Sequence, residues 1–228
     1  VDEEFLEQVC YRWFKKGRVE QSDNFLSLTL SVDNQIIHTS RCFGLYKVHG
    51  ETWETKEVVP MFYKDYDDVS AKLLADLDED YSKIRCKIKE LYPQKDFKYM
   101  LDYLALERFS YQSRNTDVKE SFVTSQTLVA IGTPVVQNVK GLWEIDRNHR
   151  FFMDDIYYGN CIAKWMAEQM DIEVPTIDAI LRWAQLVRKE GIIGNDNKLM
   201  LDSKDLNAPL KSGVPCYYGY KSFNDIID

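Results

Sequence analysis

Three histidines, His38, His49 and His149, are the side chains whose ordinary pKa lies nearest neutrality, so an acid or base working near pH 7 is sought among them or among carboxylates. His49 in "KVHGE" and His149 in "DRNHR" have charged, turn-like neighbours and read as solvated loop residues. His38 differs: in "DNQIIHTSRCFG" it follows two isoleucines in a stretch poor in charge, where an imidazole is desolvated and needs a partner. Taken alone it reads as a paired core histidine before it reads as a catalyst. The second cluster is "RNHRFFMDDIYYGN", Arg147–Asn160, in which Arg150 precedes the adjacent carboxylates Asp154 and Asp155 at the threshold of an apolar helical stretch. A guanidinium fork matches a carboxylate ligand, and a carboxylate can orient an imidazole. The plainer reading is a charged helix start, where carboxylates complement the dipole; for Asp154 that reading suffices. Phe151, Phe152, Tyr157 and Tyr158 read as core or pocket wall, and Trp53, Trp143, Trp165 and Trp183 as packing residues.

Other chemistries lack their motifs. Neither G-x-G-x-x-G nor G-x-x-x-x-G-K-[ST] occurs, and the two glycines of "KEGIIGND" are too sparse for a phosphate cradle. H-E-x-x-H and C-x-x-C are also missing, so no metal site is expected. Cys10, Cys42, Cys86, Cys161 and Cys216 are odd in number, far apart and set in apolar sequence, which fits reduced, buried thiols in the cytoplasm better than a disulfide framework. A formal charge of −8 without basic runs beyond pairs such as Lys15–Lys16 argues against nucleic acid. No apolar run approaches the roughly 18 to 20 residues that span a bilayer. The acidic start "VDEEFLEQV", without an initiator Met, reads as internal to a longer protein.

The elements that must position these residues are mostly helices. With 45% apolar residues over 228 positions the chain can bury a substantial core. From Asp65 to Leu91 an apolar stripe of Val69, Leu73, Leu77, Tyr81, Ile84, Ile88 and Leu91 predicts one long amphipathic helix, stopped by Pro93. Phe97, Leu101, Leu104 and Leu106 suggest another, and Ile156, Ile162, Ala163, Met166 and Met170 a third after the Arg150 cluster. A further helix follows Pro175, with Thr176 as N-cap, Ile177, Ile180, Leu181, Ala184 and Val187 inward, and Gly191 at its end. "FLSLTLSV" alternates Leu26, Leu28, Leu30 and Val32 with polar residues, a period-two signal for a half-buried strand that also admits the first turns of a helix. Val1–Gln21 reads as a separate unit, a helix over "EEFLEQVCYRWF" and then a turn in "KKGRVEQ".

Three stretches carry a family likeness: "NFLSLTLSVDNQIIHTSRCFG", "VPMFYKDYDDVSAKLLADLDED" and "TPVVQNVKGLWEIDRNHRFFMDDIYYGNCIAKWMAEQMDIEVPTIDAILRWAQ". In this order, and continuing through "NAPLKSGVPCYYGYKSF", they resemble the C-terminal helical domain of opine dehydrogenases, closest to the octopine type. The resemblance implies a mainly α, bundle-like domain over residues 24–228 of a two-domain nicotinamide-dependent dehydrogenase. Residues 1–23 would be the tail of its N-terminal α/β dinucleotide-binding domain. It implies condensation of an amino acid with a 2-keto acid such as pyruvate and reduction of the imine by NAD(H) or NADP(H), bound mainly by a domain outside this chain. By the same likeness His38 matches the catalytic histidine, Asp155 the carboxylate paired with it and Arg150 the substrate-binding cation. Two positions depart from the family pattern, commonly Pro at both: Thr39 and Tyr157. With Arg41 as an added cation nearby, they point to an altered substrate preference. Two other readings stay open: a helical association domain without catalysis, and a related two-domain dehydrogenase acting on a polyol or ketopantoate-like substrate. The dehydrogenase reading requires Asp155, 117 positions from His38, to come within hydrogen-bond reach of it.

Overall fold

The protein is described by a computed structural model over residues 3–14, 19, 22, 24–31, 34–207 and 211–227. The turn expected in "KKGRVEQ", Val32 of the alternating stretch and part of "NAPLKSG" fall outside the described residues. The fold is mainly α. Helices α1 (Glu3–Phe5) and α2 (Tyr11–Trp13) flank a π turn, Leu6–Cys10. There follow α3 (Leu26–Thr29), α4 (Asn34–His49), α5 (Asp68–Leu91), α6 (Tyr103–Tyr111) and α7 (Val118–Val123). A two-stranded antiparallel hairpin, β1 (Val135–Gln137) and β2 (Trp143–Ile145), leads into α8 (Arg150–Asp155). A second π turn, Ile156–Asn160, joins α8 to α9 (Cys161–Gln169); α10 (Pro175–Arg188) and the short α11 (Asn224–Ile227) complete the chain. No helix of the described residues is long and apolar enough to cross a membrane.

The long helix α5 begins where the Asp67 carboxylate accepts the Ser70 N–H at 2.7 Å, an N-cap satisfying one orphan donor. Its buried face is Ser70, Leu74, Leu77, Tyr81, Ile84 and Ile88. The expected stripe is thus right from Leu77 to Ile88, fails at Leu91, which is exposed, and is one residue off at the start, where Val69 is exposed and Ser70 faces inward. Ser70 faces inward because α4 passes very close: a Cβ on Gly44 would stand 2.2 Å from Ser70 Oγ and 2.9 Å from its Cα. Only a glycine admits that approach.

Four local expectations are corrected. "FLSLTLSV" forms α3 rather than a strand: Leu26 and Leu30, four apart, are fully buried while Leu28 is exposed, a helical spacing. The Asn24 side chain accepts the Ser27 N–H at 3.0 Å and helps start the turn. Thr176 is not the N-cap of α10. The buried Asp80 of α5 reaches across and accepts the N–H groups of Thr176 at 2.6 Å and Ile177 at 3.1 Å, placing a carboxylate at the positive end of the helix. The helix stops at Lys189, in the left-handed region at φ 57°, two residues before Gly191. The helix expected around Phe97 starts only at Tyr103, capped by Asp102, with Phe97 and Met100 buried in the preceding loop.

The inward set expected for α10 is buried as read, with Trp183 added; each large apolar side chain so buried contributes about 1.5–3 kcal/mol. Of the five free thiols only Cys42 and Cys161 are buried; Cys86 lies exposed on α5. The expectation of uniformly buried cysteines therefore holds for two of them.

Candidate active site

Helix α4 carries the first candidate residue into the interior. Eleven consecutive residues, Gln35–Leu45, are buried, because α5 and α8 cover different faces of this one helix. His38 is 1% exposed. Burial on that scale obliges both ring nitrogens to find partners, and both do. Nδ1 lies 2.7 Å from Asp155 Oδ2, and Nε2 lies 3.0 Å from the Tyr63 hydroxyl. A carboxylate has no proton to give, so Nδ1 carries the hydrogen and Asp155 accepts it. Phe151 stacks on the imidazole at 3.7 Å between centroids, and Phe62 meets it edge-on at 5.7 Å.

Asp155 is aimed by a local irregularity. It is the last residue of α8, immediately before the π turn Ile156–Asn160; such single-turn bulges recur at functional sites. Gly159 lets that turn lie against α4, since a Cβ there would stand 2.6 Å from Gln35 Cβ. Asn160, fully buried, then clamps it. Its Nδ2 donates to the Asp155 carbonyl at 3.0 Å, to Thr39 Oγ1 at 3.1 Å and to the Gln35 carbonyl at 3.3 Å. Thr39 itself donates to the Gln35 carbonyl at 2.6 Å. One amide thereby fixes the turn that holds the carboxylate to the helix that holds the histidine.

The third expected residue, Arg150, opens α8 and is exposed. Its guanidinium lies 4.9 Å from the centre of the Phe151 ring, the same ring that stacks on His38. Among the described residues it makes no ion pair, so its fork faces solvent. His149, expected as a plain loop residue, is the N-cap of α8: its Nδ1 accepts the Phe151 N–H at 3.3 Å. His49 is exposed at the end of α4, as expected of it. Asp154 is exposed but lies near the end of α8 rather than in its first turn, so a dipole role at a helix start does not apply to it.

Arg41 is corrected outright. It is fully buried and offers no cation to a substrate. Nε donates to the Phe62 carbonyl at 2.8 Å; Nη1 to Asp67 at 2.5 Å and Ser70 Oγ at 3.0 Å; Nη2 to the carbonyls of Met61 at 3.0 Å and Asp65 at 2.9 Å. These bonds fasten residues 61–70 to α4 and so set Tyr63 beside His38. The Asp67 carboxyl is pushed up by burial, but the Ser70 N–H and Arg41 outweigh this and hold it below the usual range. Tyr157 also points elsewhere. Its hydroxyl donates to Glu190, which Arg188 grips through two bonds of 2.9 and 2.6 Å, and burial together with that carboxylate pushes the phenol pKa far up. Thr39 and Tyr157, the two departures from the family pattern, thus both serve as structural ties.

Cys42, one turn beyond His38 on α4, is no nucleophile: burial pushes its thiol up to about 12, against the pull of Arg41 and with the push of Asp155. Tyr63 and Asn160 escaped sequence reasoning, because neither periodicity nor a local motif reports a contact across 25 or more residues. No group of three or more His, Cys, Asp or Glu among the described residues is placed to hold a metal. What the arrangement can do is hold and move one proton at Nε2, with the Arg150 guanidinium against the same Phe151 ring that stacks on the imidazole.

Comparison with known proteins agrees in family and fold. Residues 21–188 match the family model described as NAD/NADP octopine/nopaline dehydrogenase, alpha-helical domain. Tauropine dehydrogenase of Arabella iricolor is 24% identical over 216 residues, covering 92% of this chain and 52% of that protein. Octopine dehydrogenase of Pecten maximus is 23% identical over 211 residues, covering 90% of this chain and 49% of that protein. A solved structure of octopine dehydrogenase in complex with NADH and agmatine superposes with a TM-score of 0.82 at 19% identity, over 100% of this chain and 54% of that one. The chain spans about half the length of the curated relatives it matches.

Proposed function

Because the chain belongs to the octopine/nopaline dehydrogenase alpha-helical-domain family, we propose that it is the substrate-binding and catalytic part of an opine-forming dehydrogenase. The reaction is the reductive condensation of an amino acid with a 2-keto acid such as pyruvate. His38 is the acid/base, Asp155 its orienter and Arg150 the clamp for the keto-acid carboxylate. The observation that carries this reading is the 2.7 Å contact between His38 Nδ1 and Asp155 Oδ2, made between residues 117 positions apart at a buried site.

The chemistry follows from those groups. Asp155 holds the imidazole in the Nδ1–H tautomer and stabilises the imidazolium when Nε2 gains a proton. Condensation needs a proton delivered to the oxygen that leaves as water, a task for a positioned acid whose pKa lies near the working pH. The Arg150 fork offers two parallel N–H groups to a carboxylate and fixes its direction. Phe151 lies between this function and the acid/base, touching both side chains. The nicotinamide supplies the hydride when bound. This chain's sequence has no glycine-rich phosphate loop, and its site residues fit the substrate side of the transfer. The dinucleotide is therefore assigned to an upstream domain, of which residues 1–23 are the tail. The exposed Phe5, Tyr11, Trp13 and Phe14 are apolar surface suited to packing against such a domain.

The test is oxidation of NADH and of NADPH by the full-length protein with pyruvate and a panel of amino acids. Turnover that needs both the keto acid and one amino acid is expected. Turnover with a polyol or ketopantoate alone moves the chain to the related-dehydrogenase reading, and none with any pair leaves an association domain.

A further inference from the structure

The Nε2 atom, through which His38 would have to reach a substrate once Asp155 occupies Nδ1, is already occupied. Tyr63 Oη lies 3.0 Å from it, and His38 is 1% exposed. The phenol is not free to swing aside. Its ring meets Phe62 edge-on at 5.0 Å and Phe122 at 5.4 Å, the residue is 5% exposed, and the five bonds of Arg41 tie down its segment on both sides. A hydroxyl is donor and acceptor at once. When Nε2 is bare, Tyr63 donates to it; when Nε2 carries a proton, Tyr63 accepts. The imidazole can therefore change charge inside the protein with neither state leaving a buried group unpaired, which would otherwise be penalised by about 1–3 kcal/mol.

We propose that Tyr63 is a catalytic residue of this reaction, the outer member of an Asp155–His38–Tyr63 chain whose hydroxyl, rather than the imidazole, exchanges the proton with substrate. The proposal rests on the opine-forming reading above. In the carbinolamine made by adding the amine to the keto acid, the Tyr63 O–H gives its proton to the departing hydroxyl. The C–O bond breaks, water leaves, and the nitrogen lone pair forms the C=N bond. In the same step the phenol oxygen takes the Nε2 proton of the imidazolium, while Nδ1–H stays on Asp155. One proton has passed from His38 to water, Tyr63 ends as it began, and nothing is oxidised or reduced until the hydride of the nicotinamide reaches the iminium carbon.

The experiment is single-turnover kinetics on the full-length protein, with its nicotinamide and its active substrate pair, for the unsubstituted chain and for Tyr63→Phe. The Phe ring keeps the contacts with Phe62 and Phe122. A fall of about 10²-fold in the single-turnover rate is expected, the lower end for loss of an acid/base group, with KM for the keto acid within threefold. A purely structural tyrosine would not give that split. A proton inventory in mixed H₂O and D₂O on the unsubstituted protein needs no variant: a curved plot, two protons moving together, is expected. A rate for Tyr63→Phe within twofold of the parent, or a linear inventory, overturns the relay and leaves the opine-forming reading standing. Absence of turnover by the unsubstituted protein with every pair removes both.

Discussion

Arg41 and Arg150 belong to the same neighbourhood and stand in opposite states. Arg41 lies one turn from His38 on α4, fully buried, with its guanidinium held by Asp67, Ser70 and three backbone carbonyls. Arg150 opens the helix that ends in Asp155, is exposed, and among the described residues rests its guanidinium on the Phe151 ring without an ion pair. In sequence both were cations near a histidine. The difference teaches that a guanidinium is available to a ligand according to how many of its N–H groups the fold has already engaged. Arg41 builds the wall that places Tyr63; Arg150 is left at the rim.

That contrast can be broken at several points. The largest effect is expected at Arg41→Ala, which strips Asp67 of its cation and three carbonyls of their guanidinium donors. Breaking a buried pair in this way typically destabilises by about 3–5 kcal/mol. Urea unfolding reads it, and a loss under about 1 kcal/mol would place Arg41 with the available cations. Next comes Gly159→Ala. The added methyl meets Gln35 Cβ at 2.6 Å, and overpacking of this kind is destabilising by about 1–3 kcal/mol. Because the displaced turn carries Asp155 and Asn160, turnover should fall along with stability. Unchanged turnover in a folded variant would separate the π turn from the site.

Arg150→Lys should leave stability untouched and raise KM for the keto acid by about tenfold, roughly the 1.4 kcal/mol expected when a fork becomes a point charge. An unchanged KM for every keto acid tested removes the clamp. The smallest effect is that of pH on the Arg41 side. The Asp67 carboxyl is held below its usual range. Its contribution to stability is therefore present above the unfolded carboxylate pKa of about 3.9 and is lost as pH falls through the lower folded value. Unfolding midpoints compared at neutral and strongly acid pH should show a smaller acid loss in Asp67→Asn than in the parent, and equal losses would contradict the sign.

What the sequence made legible was whatever repeats along one element. The face of α5 from Leu77 to Ile88, the inward face of α10 and the helix after the Arg150 cluster follow from apolar spacing alone. Pairing between elements did not follow. Asp80 caps α10 from another helix, so Thr176 was given a task that a distant carboxylate performs. Leu26 and Leu30 satisfy alternation and helical spacing equally well, and only burial of one pair with exposure of Leu28 separates them. The hairpin at Val135–Gln137 and Trp143–Ile145 was missed although Asn138 and Gly141 mark its turn: Asn138 Oδ1 accepts the Lys140 N–H at 2.9 Å, and Gly141 takes φ 80°. His38 and Asp155 belong together by family likeness, not by spacing. Arg41, Tyr63 and Asn160 act through contacts 20 to 125 residues away in sequence, and nothing local announces them.

The central claim is that His38 and Asp155 act as one acid/base unit. Asp155→Asn tests it most directly, because it keeps the size of the group while removing the charge that stabilises the imidazolium and fixes its tautomer. Measured in the full-length protein with NADH or NADPH and its active substrate pair, kcat should fall by about 10² or more, as for loss of a positioned acid/base. His38→Ala should lower it as far, and the double variant little further, because the two act together. A kcat for Asp155→Asn within twofold of the parent would contradict the account and return the pair to the role of a buried structural hydrogen bond.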